Sequence, residues 1–159
     1  MVKHIIRQLI YLRLNTFIFF IVILYMQYNN DIKMGSDAEI EVMPILETFF
    51  NEKLYKNTDR YALFDFENDT KLIELKTRNN KKEQYQTTMI GKNKIIFACH
   101  SENAEKDVYF VFKFTDGLFY YKYNCNDIFE NGMGGRCDRN KKEYKPYVYI
   151  DINLLTKIN

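Results

Sequence analysis

The sequence predicts one α/β domain over residues 34–159, preceded by a hydrophobic segment over residues 1–33. Three observations carry that expectation. Ile40, Met43, Leu46, Phe50 and Leu54 recur at helical spacing within Ala38–Tyr55. Tyr61–Phe66 and Lys71–Thr77, rich in aromatic and β-branched residues, flank the polar stretch Glu67–Thr70 and read as a hairpin. Asp107–Phe114 and Leu118–Tyr123 alternate around Thr115-Asp116-Gly117, a second hairpin with its turn signal. A chain of 159 residues suits one domain, and 47% apolar with 16% aromatic content is ample for a core.

The elements follow in order. Asp37 is placed to cap the first helix. Asn79–Gln86 is a polar loop. Met89, Ile90, Ile95, Ile96 and Ala98 give Thr87–His100 the spacing of a second helix, with a strand from Ile95 as the alternative. Gly132-Met-Gly-Gly135 reads as a flexible connection, because no Gly-Lys-Ser/Thr follows to make it a phosphate loop. Tyr147–Ile150 is a short final strand, and Asp151 caps a last turn through Leu155. The order is helix, two or three strands, helix, strands, with no internal repeat.

The first hairpin carries the chemistry. A four-residue loop pairs Phe66 with Lys71, Asp65 with Leu72 and Leu63 with Glu74. Paired residues share a face, as do i and i+2 on one strand. Asp65, Glu74 and Lys76 therefore point the same way, the two acids lying diagonally at roughly 7–8 Å between backbones. Hydrolysing a phosphodiester needs a divalent metal, acids to hold it and a nearby cation, and this triplet supplies the acids and the cation. Charges alternating with apolar residues on a hairpin also describe an ordinary solvated sheet face. Glu39, in the first turn of the first helix, suits the helix dipole in any case.

The combination of Gly35…Glu39 on a first helix, Asp65 on a hairpin strand and Glu74-Leu75-Lys76 on the next strand resembles the PD-(D/E)xK nuclease superfamily. The likeness is to its restriction-endonuclease and archaeal Holliday-junction-resolvase types, and it covers residues 34–159. Phe64 stands where the superfamily's variable proline would be. The string Glu74-Leu-Lys-Thr-Arg-Asn-Asn80 with Tyr85, followed by Thr87-Thr-Met-Ile-Gly-Lys-Asn-Lys94, is similar to uncharacterised nuclease-like proteins of large DNA viruses.

The resemblance implies a restriction-endonuclease-like αβββαβ core, a mixed central sheet flanked by helices. It implies Asp65 and Glu74 as ligands of Mg²⁺ (or Mn²⁺), a hard ion that prefers oxygen donors. The backbone carbonyl of Leu75 would complete the site, and Glu39 would hold a second ion or its waters. Lys76 would orient the attacking water or neutralise the transition state. Arg78, Lys92 and Lys94 would contact the DNA substrate, the other reading of Lys94 being a solvent-exposed surface lysine. Many relatives act as dimers, so a homodimer is an expectation, although no interface is legible in the sequence.

Charge limits the mode of binding. The net charge is +2 over the whole chain, and residues 34–159 carry 19 Lys+Arg against 20 Asp+Glu. That argues against a strong non-specific nucleic-acid binder, whose affinity comes from many phosphate contacts. Locally, Lys76, Arg78, Lys81, Lys82, Lys92 and Lys94 face a single acid, Glu83, a patch that suits gripping and releasing a backbone and equally suits a solvated loop. Cys125 and Cys137 bracket the glycine run and could pair in an oxidising compartment. All three cysteines are taken as ordinary thiols in a reducing one. His4 and His100 have no partners at zinc spacing.

The segment Leu14–Tyr28 is hydrophobic, with Lys3, Arg7 and Arg13 before it and Asn29-Asn30-Asp31 after it. It is shorter than the ~20 residues that span a bilayer comfortably, and no small-x-small pair follows at cleavage distance. Three readings fit: a short anchor with its basic side cytoplasmic, an unusual secretory segment, or translation upstream of a true start at Met34. The last is favoured, with an intracellular location for the enzyme and membrane association only if residues 1–33 are retained. Two function classes thus stand: a Mg²⁺-dependent endonuclease acting on DNA, or a membrane-anchored, non-enzymatic binding or virion-envelope protein whose acidic hairpin is only surface.

Overall fold

The computed structural model of the chain describes residues 2–59, 61–100, 105–135 and 144–159; within the first helix, side chains are described at residue 13, at 16–27, 29 and 30, and from 33 onward. Helix α1 runs Val2–Phe50. By its contacts the chain divides into Met1–Ser36 and Asp37–Asn159. In the first unit Phe17, Phe19, Phe20, Tyr25 and Met26 are exposed. Among the described residues no helix is long and apolar enough to cross a membrane.

Because α1 is continuous through Asp37, that residue is helix interior and not the expected cap. The buried stripe is Ala38, Val42 and Leu46, an i, i+4, i+8 row, whereas Ile40 is 65% exposed. The helix stops at Phe50, earlier than expected. Asn51 takes a left-handed φ of 52°, Glu52 N–H donates to the Glu47 carbonyl at 3.2 Å, and the Glu47 side chain accepts the Leu54 N–H at 3.1 Å. Tyr55–Lys56 then opens the sheet as β1.

The strands that follow are β2 (Phe66–Glu67), β3 (Lys71–Thr77), β4 (Thr87–Gly91), β5 (Asp107–Phe114), β6 (Gly117–Lys122), β7 (Glu130–Gly134), β8 (Lys145–Asp151) and β9 (Thr156–Lys157), with helix α2 (Lys92–Ala98) after β4. One mixed sheet has the order β1-β2-β3-β5-β6-β9, and a three-stranded sheet has the order β4-β8-β7. Among the described strands only the β3–β5 pair is parallel; the crossover through α2 makes that possible, since parallel neighbours cannot be joined by a tight turn. β5 is buried on both faces, as its unbroken Val-Tyr-Phe-Val-Phe run requires. Val108, Phe110 and Phe112 pack on one face with Ile90, Ala98 and Ile150. Tyr109 and Val111 pack on the other with Ala38, Val42 and Leu46 of α1.

The first hairpin forms, but with a different register. Phe66 pairs with Ile73 and Glu67 with Leu72, two residues on from the expected pairing. The turn occupies Asn68–Lys71 because the Asn68 side chain accepts the N–H groups of Thr70 and Lys71 at 3.0 and 2.7 Å. Glu52 fastens it by accepting from Lys71 Nζ at 2.6 Å and Asn68 Nδ2 at 2.8 Å. Tyr61–Phe64 is not strand. Asp59 bends the chain there, its carboxylate accepting the Tyr61 N–H at 2.9 Å. A shift of two leaves every side chain on its predicted face, where a shift of one would have reversed them all.

Two other segments differ. Thr87–His100 is not one helix: Thr87–Gly91 is a strand paired with β8, and only Lys92–Ala98 is helical. Thr88 and Ile90 are buried in alternation, a period-2 pattern in a β-branched stretch. Gly132, Met133 and Gly134 of the glycine run lie in β7 and not in a loose connection. Gly132 lies where a Cβ would meet the Tyr149 ring at 2.7 Å, so the absence of a side chain lets that ring lie against the strand. Gly132→Ala should destabilise the domain by about 1–2 kcal/mol, read from chemical denaturation, because Tyr149 must move to admit the methyl. The Thr115–Gly117 turn, with Gly117 at φ 150°, and Asp151, whose side chain accepts the Asn153 N–H at 2.8 Å, stand as expected.

Candidate active site

Asp65 and Glu74 meet where the β2–β3 ladder ends. Asp65 N–H donates to the Ile73 carbonyl at 3.0 Å, and its own carbonyl accepts the Asn57 N–H at 2.9 Å. Its carboxylate then takes over the ladder, Oδ2 accepting the Leu75 N–H at 2.7 Å. By continuation of the observed register Asp65 stands directly opposite Glu74, closer than the expected diagonal. Glu74 is 1% exposed, on the sheet face that α2 covers.

Two lysines clamp Glu74. Lys76, two residues along the same strand face, binds Oε1. Lys94 reaches from α2 to Oε2 at 2.9 Å, its ammonium 5.6 Å from the centre of the Phe64 ring. A carboxylate buried to this degree needs such partners to remain charged. Lys94, read from sequence as a phosphate contact or a surface lysine, is thus a neighbour of the acid pair. Only the tertiary crossover of α2 brings it there, so no local spacing could have shown it.

The site's charge balance divides between its members. Burial pushes the Asp65 carboxyl up to about 6, and the charges of Glu74 and Glu39 push the same way, against Lys76 and the Leu75 N–H. Burial pulls Lys76 down, but Glu74 and Asp65 outweigh it and hold its pKa above the usual lysine range. Lys76 is therefore a firmly charged ammonium at neutral pH.

Glu39 lies near enough to act on Asp65 through its charge, but its carboxylate pairs with Lys56 at 2.9 Å. Among the described residues no three His, Cys, Asp or Glu side chains group closely enough to hold an ion together. Asp65 and Glu74 are the acids the structure brings side by side. Leu75, between Glu74 and Lys76, contributes its N–H to Asp65.

Arg78 continues the strand, its N–H donating to the Lys113 carbonyl at 2.8 Å. Its guanidinium turns to β4 and donates to the Met89 carbonyl at 2.6 Å and the Thr88 hydroxyl at 3.4 Å. Burial lowers its pKa. Lys92, in the first turn of α2, is partly exposed and has no ion-pair partner among the described residues. Cys99 and Cys125 are free, exposed thiols, and Cys137 lies outside the described residues.

No curated protein and no solved structure matches the chain significantly. A family described as "Phage putative PDDEXK endonuclease" matches residues 28–158, a stretch that opens six residues ahead of Met34 and contains both sheets and every site residue above. With an α/β fold in which an acid on a hairpin strand faces Glu74-Leu75-Lys76, and with that match over most of its length, the chain belongs to this family of PD-(D/E)xK endonucleases.

Proposed function

We propose that this chain is a metal-dependent endonuclease that hydrolyses phosphodiester bonds in DNA, with Mg²⁺ or Mn²⁺ as its ion. The observation that carries the reading is the facing pair of Asp65 and Glu74, two acids whose mutual charge helps raise Asp65, with Lys76 beside them. The donor set fits a hard divalent cation, because it consists of oxygens and its charge is relieved by one. Asp65 Oδ1 has no hydrogen-bond partner among the described residues, while Oδ2 is tied to Leu75. Asp65, Glu74 and the Leu75 carbonyl would hold the ion, with Glu39 serving a second ion or its waters. Such an ion lowers the pKa of a bound water and neutralises charge on a phosphate oxygen.

The chain's own groups do the rest. Lys76, held protonated by the two acids in the metal-free chain, is a hydrogen-bond donor that orients a water or a phosphate oxygen. Lys94 keeps Glu74 oriented. Arg78 and Lys92 lie between Glu74 and Lys94 in sequence and would supply positive charge to the backbone of the strand being cut. The non-enzymatic envelope reading finds no support in the family assignment. We place the enzyme inside the cell with its DNA; recovery of the native protein solely in membrane fractions would count against that location.

The test is nicking of supercoiled plasmid by the full chain with Mg²⁺, Mn²⁺ or EDTA. Cleavage should need a divalent ion, and Lys76→Ala should lower its rate by roughly 10²–10³-fold, the usual loss when one transition-state donor is removed. Cleavage in EDTA, or undiminished cleavage by Lys76→Ala, overturns the assignment.

A further inference from the structure

Beside the acid pair lies a second feature with its own chemistry. A cavity of about 290 Å³ opens between the end of β3 and the three-stranded sheet, lined by Arg78, Lys82, Tyr85, Thr88, Phe114 and Tyr149 among others. Among the described residues no acidic side chain lines it. Its polar side chains are two cations, hydroxyls and one amide, Asn80, and its apolar lining is largely aromatic. That volume stands at the small end of ligand sites, enough for one planar ring system and not for a large ligand.

Its position relates it to the site. Arg78 lies two residues past Lys76 on the same strand face, so the cavity begins roughly 6–7 Å along the strand from the lysine at the acid pair. The guanidinium is braced by Met89 and Thr88, which fixes its plane while Nη1 has no partner among the described residues. Tyr85 is 60% exposed at the cavity mouth. Tyr149, which also lines the cavity, has its ring against Gly132, where any side chain would displace it.

We propose that this cavity binds one unstacked nucleotide of the DNA strand next to the phosphodiester being cut, its base against Tyr85 and Tyr149 and its phosphate on Arg78 and Lys82. The inference rests on the nuclease reading above and names its substrate class: DNA with an unpaired or splayed nucleotide beside the cut. A base in a continuous duplex cannot enter, because its faces are covered by its neighbours and it must leave the stack to be held in a pocket. Stacking on aromatic rings tolerates every base. The site therefore selects DNA structure and not sequence. The near-neutral charge of residues 34–159 agrees, since affinity drawn from stacking does not need a long basic footprint.

The experiment measures binding and cutting separately on the full chain. Fluorescence anisotropy in EDTA compares a hairpin DNA bearing an unpaired 3′ or 5′ strand with a fully paired duplex of the same length. The wild type should prefer the unpaired strand. Tyr85→Ala, at an exposed position where the fold is not at stake, should weaken that binding by roughly 5- to 100-fold, the usual effect of losing one stacking platform. Binding of the paired duplex should change much less. A 2-aminopurine placed next to the cleaved bond should be quenched by the wild type and brightened in the variant. Equal loss on both DNAs, or no loss on either, overturns the subsite even if the enzyme cuts plasmid. Conversely, selective loss of unpaired-strand binding in a protein that cuts no DNA under any ion supports the subsite and removes the nuclease reading.

Discussion

Asp65→Asn should abolish metal-dependent cleavage, by roughly 10³-fold or more, and yet give a metal-free domain more stable than the parent at pH 7.5. The activity loss follows from removing one of the two facing acids. The stability gain follows from the upward displacement of the Asp65 pKa. Its carboxyl titrates near 6 in the folded chain, against roughly 3.9 for an unperturbed aspartate. Between those values the folded state binds the extra proton, so stability falls as pH rises through that window and stays reduced above it. A carboxyl raised that far costs the fold about 2–3 kcal/mol at neutral pH. Asparagine removes the charge but keeps an oxygen to accept the Leu75 N–H. Thermal unfolding in EDTA should show the variant ahead at pH 7.5 and level with the parent near pH 4. A variant less stable at both pH values would show that Asp65 is not the strained member of the pair.

The grouping of these side chains was partly legible in the sequence. Asp65, Glu74 and Lys76 share a face in any register of even offset, so the argument from side-chain alternation survived a turn that moved by two residues. The turn itself moved because Asn68, and behind it Glu52, hold the backbone at Asn68–Lys71, and tertiary partners of that kind leave no local trace. The Thr87–Gly91 strand was missed for a related reason. Five residues are too few to separate a helical from a strand period, and pairing with β8 decided the matter. The first helix was expected from spacing, but its buried row is Ala38, Val42 and Leu46, because the sheet and not the chain fixes which stripe faces inward. Lys94 and Lys56 became partners of the acids only through folding.

Glu74 should behave in the opposite way to Asp65. It is buried, with a lysine on each carboxylate oxygen, so removing it leaves two ammonium groups facing one another without the anion that holds them. Lys94 is the more buried of the two, its side chain 15% exposed against 34% for Lys76. Breaking a buried pair by deleting one partner is costly because the remaining charge is uncompensated, whereas deleting the whole pair is close to neutral. Glu74→Ala should therefore destabilise the metal-free domain by about 3 kcal/mol, a fall of roughly 10 °C in Tm for a domain of this size. Adding Lys94→Met should restore most of that loss, while cleavage stays absent in both variants. A double-mutant cycle reads the coupling directly. If the second substitution restores nothing, Glu74 is not the anion that keeps Lys94 in the core, and the two facing carboxylates do not divide their work into one that strains the site and one that holds it.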